Sequence, residues 1–386
     1  MSKSIVFVDQ YCFLGGGQQV LIEMVSSALN EGMKVCVLIP LGGDLESAIH
    51  QRFGNAVSLK NIKIKNVSHG KKTFLDIIRL INDNFFIFLM HFTTFRGSAV
   101  YINGGRLFFL GALLAVYNIS SVFFHLHIMP KKTVKKILTT LFILPTVKAV
   151  IANSKFIADG FSDGKIWHPK LHLIENELPA FFSILPFKRI NFRNGLIVVT
   201  PGTIRPEKGQ HLVFYLARKF TSIQFHLVGR VGEGAEIWFQ NLLAEKPENL
   251  TINQQVNDLS IFFDAIQANV CLVPSCWEEP FGLVAIEGMA CSCIAVLASR
   301  GGLIEIAENT NALTFCSLSQ LEKVFNTLSS CNVARLEELS RDQYKRVMSR
   351  YGQRIFGSKI INLILEHGYP KQSSHCSNNG FTHTGN

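Results

Sequence analysis

Pro274 to Ala290 reads P-S-C-W-E-E-P-F-G-L-V-A-I-E-G-M-A and follows directly on the apolar run Val270 to Val273. A short buried strand, a loop carrying Pro and Gly, then an apolar-periodic stretch predicts a helix starting near Phe281 to Gly282. On that helix Glu287 lies in the second turn and Glu279 in the loop before it, so both carboxylates can face one cleft. Ionised carboxylates accept hydrogen bonds from paired hydroxyls such as those of a ribose or a hexose. The amides of Phe281, Gly282 and Leu283, unpaired at a helix start, suit a phosphate. A solvated acidic turn ahead of a core helix would look the same, and the spacing of the two acids alone does not separate these readings.

Outward from this passage the same alternation recurs. In the C-terminal half, apolar runs at Leu196 to Thr200, Phe225 to Val228 and Ile294 to Ala298 form a series with Val270 to Val273. In the N-terminal half, Ser4 to Val8 leads into a loop at Gly15 to Gly17, an apolar-periodic stretch from Val20 to Leu29 that stops at Gly32, and a second strand at Lys34 to Pro40. The series continues through apolar runs at Phe85 to Phe92 and Val100 to Asn103, a helical pattern at Leu107 to Tyr117, a strand at Val122 to His127, a helix from about Thr133 and a strand at Ala149 to Ala152. Strands alternating with helices predict an α/β protein with parallel sheets covered on both faces. Leu178 to Asn191 carries Pro179 and Pro186 with no clear period and reads as a linker. The expected organisation is two Rossmann-like, doubly wound domains, residues 1–180 and 181–370, and a polar, disordered tail over 371–386, with a return to the first domain as the alternative for the last helix of the second.

Composition supports a folded chain. Of 386 residues 48% are hydrophobic and 17% charged, which excludes a disordered or fibrous class and suits two domains. The mean hydropathy of +0.24 raises the question of a membrane span. The stretch Leu107 to Pro130 has no Lys, Arg, Asp or Glu, but Asn118, Ser120, Ser121, His125 and His127 interrupt the roughly 18 to 20 apolar residues a spanning helix needs. It reads as a buried helix and strand. The N-terminus lacks a signal-peptide pattern, and nine cysteines without zinc-ribbon spacing read as reduced thiols, so the expected location is the cytoplasm.

The whole string Pro274 to Ala290 resembles the nucleotide-sugar motif of the retaining glycosyltransferases of family 4, which have the GT-B fold of two facing Rossmann-like domains. Other segments fit in order and spacing. G-G-G-Q-Q-V at Gly15 to Val20 is similar to the family's Gly-Gly loop near the donor phosphates and the acceptor. A-N-S-K-F-I at Ala152 to Ile157 is similar to the segment that ends the first sheet. P-G-T-I-R-P-E-K-G at Pro201 to Gly209 is similar to the family's G-R-L-x-x-x-K-G, and G-G-L-I-E at Gly301 to Glu305 to the loop after the acidic motif.

The resemblance implies a donor-binding set of Gly15, Gly16, Arg205, Lys208, Glu279, Phe281, Gly282, Leu283 and Glu287, with Glu287 on a ribose and Glu279 on sugar hydroxyls. Lys208 and Arg205 would neutralise a diphosphate leaving group. A catalytic set of His127, Glu279, Lys208 and Arg205 follows, His127 matching the family's strand-end His best and His125 being the alternative. It implies retention by front-face attack, with the leaving phosphate as base for the acceptor hydroxyl. Departures are Thr203 where the family often has Arg, Ser292 and Ile294 where Gly and Pro are usual, Ile128 for a common Asp, and Glu177 for a Gly.

None of the nine Asp lies two residues from another, so no D-x-D metal site is present, and neither metal nor cofactor is expected beyond the nucleotide sugar as co-substrate. Walker, G-x-S-x-G and G-x-G-x-x-G motifs are missing, against kinase, hydrolase and simple dehydrogenase readings. Rivals are an epimerase or phosphorylase of the same architecture, and a basic nucleic-acid-binding protein, which lacks an RNP-like strand or recognition helix. Residues 1–180 hold +8 of the net +10. Lys131, Lys132, Lys135 and Lys136 precede an apolar run to Leu144, either a membrane-surface segment or a core helix with a basic first turn. The expected partners are therefore a nucleotide diphosphate sugar, a glycan or lipid-linked glycan acceptor of cell-surface polysaccharide synthesis, and the inner face of the plasma membrane, with no nucleic acid.

Overall fold

Val- and Ile-rich runs of three to six residues form parallel strands that the adjoining helices bury on both faces. In the first domain these are Ser4–Val8 (β1), Lys34–Ile39 (β2), Val57–Asn61 (β3), Ala99–Ile102 (β4), Ser121–Leu126 (β5), Val147–Ala152 (β6) and Leu171–Leu173 (β7), in spatial order β3-β2-β1-β4-β5-β6-β7. In the second they are Ile197–Pro201 (β8), Gln224–Val228 (β9), Leu250–Asn253 (β10), Val270–Val273 (β11), Ile294–Ala298 (β12) and Leu313–Phe315 (β13), in order β10-β9-β8-β11-β12-β13. The computed structural model describes residues 3–64, 74–179, 182–184, 186–188, 192, 195–256 and 258–370. The expected tail over 371–386 and part of the expected linker lie outside the described residues.

Each sheet reverses its winding once, between β1 and β4 and between β8 and β11. At such a reversal the connections leave in opposite directions and open a crevice beyond the carboxyl ends of the strands. In register, Val8 pairs with Ile102 and Ile102 with Phe124, so β1, β4 and β5 deliver their next residues side by side.

One face of the first sheet is covered by the helices Phe74–Met90, Phe108–Val116 and Lys132–Leu141, which bury Ile87, Leu110 and Leu138. The other face holds Gly16–Asn30, against which the last helix, Phe356–His367, packs Phe356, Ile360 and Ile364. Gly357 rests on Ser27 there, and Glu177 accepts from Ile355 N at 2.6 Å and from Lys359 Nζ at 3.3 Å, clasping the start of that helix. Ser292, where the family has Gly, takes a left-handed φ of 66°.

One expectation is corrected and one open alternative is narrowed. The run Phe85 to Phe92 belongs largely to the helix Phe74–Met90 rather than to a strand; a continuous apolar run suits either, and the 17 residues without Gly or Pro decide for helix. The apolar run after Lys136 is mostly core, with Leu138, Leu141 and Phe142 buried. Lys135 is no surface lysine, since its Nζ donates to Gly160 O at 2.8 Å and pairs with Asp163. Leu107 to Pro130 does form a helix and a strand within the fold, and no helix among the described residues is long and apolar enough to cross a membrane.

Candidate active site

On the second domain the loops after β8 and β11 are pressed together. Gly209, at φ 77°, lies against the Pro274 carbonyl, where any side chain would collide. This contact sets Lys208 beside Glu279: Nζ donates to Oε1 at 2.6 Å, and Ser275 Oγ donates to the same oxygen at 2.5 Å. The Trp277 ring lies 5.1 Å from the Lys208 ammonium. Glu279 is buried, and its Oε2 has no bond to a described residue.

The helix predicted near Phe281 runs Leu283–Ala290. Gly282 begins it at φ 113°, a conformation costly for residues with a side chain, and a Cβ there would meet Leu303 at 2.5 Å. Phe281 turns its ring into the core against Tyr351, so only its backbone is open to a ligand. Glu287 sits one turn on, 4% exposed, and burial followed by the Asp258 carboxylate pushes its carboxyl up to about 7.

On the first domain β1, β4 and β5 end in polar residues. Asp9 accepts from Gln18 Nε2 at 3.2 and 3.1 Å and from Asn103 Nδ2 at 2.5 Å. Asn103 Nδ2 also donates to Gly17 O at 3.1 Å, which leaves its Oδ1 facing His127 Nε2 at 2.7 Å. Burial holds the His127 imidazolium down to about 4, so the ring is neutral at pH 7. Its one proton is therefore on Nε2, donated to Asn103, and Nδ1 is left as an acceptor. Asp9 is itself pushed up to about 6 by burial. His125 is packed behind, its ring 4.1 Å from that of His127 and its Nδ1 on the Tyr101 hydroxyl. It is 1% exposed, and its Nε2 has no hydrogen-bond partner among the described residues.

The two halves meet across a cleft of about 150 Å³ lined by Gly15, Gly16, Thr203, Arg230, Leu283 and Glu287 among others. A Cβ on Gly17 would lie 3.6 Å from the His127 ring and one on Gly16 3.4 Å from Leu283, so the glycine loop joins the His127 network to the helix start. The two domains also touch through Arg230, whose guanidinium lies 3.9 Å over the Phe13 ring, and through Glu305. The Glu305 carboxylate takes the amides of Lys155, at 2.9 Å, and Phe156 at the start of the helix Lys155–Ser162.

Of the residues singled out from the sequence, Gly15, Gly16, Leu283 and Glu287 line this cleft, Gly282 and Phe281 shape its helix start, and Lys208 and Glu279 pair with each other. His127 adjoins through Gly17. Arg205 is engaged elsewhere, by Glu207 and Glu233 O, both at 3.3 Å, and its side chain packs on Gly232. Sequence reasoning missed Asp9, Asn103 and Arg230. Each follows a strand's carboxyl end within two residues, which was the available signal. Among the described residues no three His, Cys, Asp or Glu gather as a metal would require.

Residues 184–345, under half of the chain, match the model of the family Glycosyl transferases group 1. A protein named "Probable sucrose-phosphate synthase" from Thermosipho melanesiensis is 25% identical over 176 residues, 44% of this chain and 41% of the length of that relative. Anabaena HepE, solved with UDP and glucose, superposes with a TM-score of 0.75 at 18% identity, covering 94% of this chain and 99% of that one. Sucrose-phosphate synthase from Thermosynechococcus elongatus gives 0.73 at 17% identity, over 94% and 98%. Likeness at these identities speaks to the fold. The chain is thus built on the two-domain GT-B fold, and its residues 184–345 are similar to the family Glycosyl transferases group 1.

Proposed function

We propose that this protein moves a sugar from a nucleotide diphosphate sugar to a glycan or lipid-linked glycan acceptor, with retention at the anomeric carbon and without a metal. The observation that carries the reading is the cleft in which a buried carboxylate, Glu287, and the amides of a helix start face a glycine loop from the other domain. Glu287 accepts from the ribose hydroxyls. Lys208 swings from Glu279 onto the diphosphate as negative charge grows on the leaving group, which frees Glu279 to accept from hydroxyls of the transferred sugar. His127 accepts from a further sugar hydroxyl through Nδ1, the nitrogen its Asn103 bond leaves open. Arg205 would have to leave Glu207 to join, so its part is secondary.

Glu279 keeps the Ser275 Oγ hydrogen bond on Oε1 and is engaged by the sugar's hydroxyls, so the acceptor attacks on the same face as the departing phosphate, that phosphate taking the proton. The setting is the cytoplasmic side of a membrane where cell-surface polysaccharide is assembled. HepE has been solved with UDP-glucose, which places uridine nucleotides first in the screen. The test is incubation with UDP-, GDP- and ADP-sugars, with and without oligosaccharide or lipid-linked acceptors, following nucleotide diphosphate release and the anomeric configuration of the product by NMR. Acceptor-dependent release with retained configuration is expected. Sugar conversion without any acceptor would make the protein an epimerase and overturn the reading.

A further inference from the structure

The helix Phe74–Met90 carries large apolar side chains on its outer side as well as its inner one, with Asp76, Arg79, Asn82 and Asp83 set among them. Its inner side buries Ile87 and Phe88, and Asn84 is sealed there by bonds to Leu80 O, Arg106 O and Leu110 N. Its outer side presents Leu75, Ile78, Phe85, Phe86, Leu89 and Met90, each between 43 and 76% exposed. Positions 78, 85, 86 and 89 fall on one stripe of the helix. Large apolar side chains exposed next to one another on a helix mark an interaction surface. The two longest undescribed stretches, 65–73 and 371–386, contain Val67 and Phe381 as their large apolar residues.

Charge identifies the partner. Between Asp83 and Asp159 the chain has eight Lys or Arg and no Asp or Glu. The helix Phe108–Val116 lies against Phe74–Met90 and in turn against Lys132–Leu141, so all three form one outer layer. Lys131, Lys132 and Lys136 are exposed on its far side. A second copy of the chain docked patch to patch by a two-fold axis would bring like cationic groups toward each other. An anionic bilayer satisfies both features at once, taking the apolar side chains among its acyl chains and the lysines at its headgroups.

We propose that the outer surface of the helices Phe74–Met90, Phe108–Val116 and Lys132–Leu141 docks on an anionic lipid bilayer. This deepens the membrane-proximal acceptor of the proposed function and rests on it only for its purpose, because vesicle binding is read without any sugar donor. The experiment is co-sedimentation with phosphatidylcholine vesicles with or without phosphatidylglycerol, at low and high salt. The proteins compared are the wild type, Phe86→Glu/Leu89→Glu and Lys131→Gln/Lys132→Gln/Lys136→Gln, with Lys135 left in place because it is tied to Gly160 and Asp163.

The wild type is expected to bind phosphatidylglycerol vesicles and to weaken with salt. The lysine variant should bind roughly 100-fold more weakly and the apolar variant not at all, even at low salt. Both variants should keep the wild-type circular dichroism and affinity for nucleoside diphosphates. Absence of wild-type binding at low salt, binding indifferent to both variants, or a dimer in light scattering that Phe86→Glu/Leu89→Glu dissociates would overturn the proposal. Vesicle binding without any nucleotide-sugar affinity would instead sink the enzymatic reading and leave this surface standing.

Discussion

Replacing Glu287 with Gln is expected to make the protein more stable and less able to hold its donor. The carboxyl is 4% exposed and is pushed from an ordinary 4.5 to about 7, first by burial and then by Asp258. An acid whose value in the fold exceeds that in the unfolded chain keeps its proton on folding, so stability is lost as pH rises from about 4.5 to about 7 and stays lost above. Carried through linkage, the difference amounts to about 3 kcal/mol at pH 8. Gln keeps the shape without the charge and removes that penalty. Unliganded Glu287→Gln should therefore exceed the wild type by up to about 3 kcal/mol in urea unfolding near pH 8, and match it near pH 4.5. Donor affinity should move the other way, falling roughly 10- to 100-fold as a charge-assisted pair of hydrogen bonds is lost. Equal stability of the two proteins near pH 8, or a less stable variant, would refute the buried-acid reasoning. Unchanged donor affinity would refute the role at the ribose.

Asp9→Asn should lower turnover by about tenfold or more with little effect on donor affinity, because Asn103 then loses the acceptor that fixes its amide and His127 its defined proton position. Since burial holds Asp9 up to about 6, wild-type turnover should fall as pH drops through 6, and that limb should vanish in Asp9→Asn; steady-state pH profiles check both. Lys208→Ala should cost about 100-fold in turnover, read by nucleotide diphosphate release, since it removes the cation nearest the leaving group and leaves buried Glu279 without its ion pair. Activity should survive EDTA; its loss on chelation with recovery in manganese would transfer the role of Lys208 to a metal.

The parts of the fold that sequence patterning reveals are the interior ones. β1, β2, β8, β11 and β12 are apolar runs buried on both faces and stand out at once. The strands that patterning passes over, β3, β7, β10 and β13, are the four sheet edges. They are short and partly exposed, as edges tend to be, so Val57–Asn61 or Leu313–Phe315 carries no continuous apolar run. The site divides in the same way. Lys208, Glu279 and Glu287 are legible because a contiguous motif and a glycine-bounded loop announce them. Asp9 and Asn103 meet across 94 residues, and their significance exists only once β1 and β4 are neighbours. The engagement of Arg205 depends on the missing side chain of Gly232, a relation between two loops that neither loop displays alone. The outer face of Phe74–Met90 escaped for another reason: hydropathy shows that residues are apolar, and only packing shows which of them stay exposed among the described residues.

The central claim is that the cleft between the Gly15–Gly16 loop and the helix Leu283–Ala290 holds a nucleotide diphosphate sugar. Calorimetric titration of UDP-, GDP- and ADP-sugars into the wild type and Glu287→Ala tests it directly. The account predicts one-to-one binding of at least one of them to the wild type, weakened roughly 10- to 100-fold by the substitution, with the fold intact by circular dichroism. Failure of all three to bind, or binding that Glu287→Ala leaves unchanged, would contradict it.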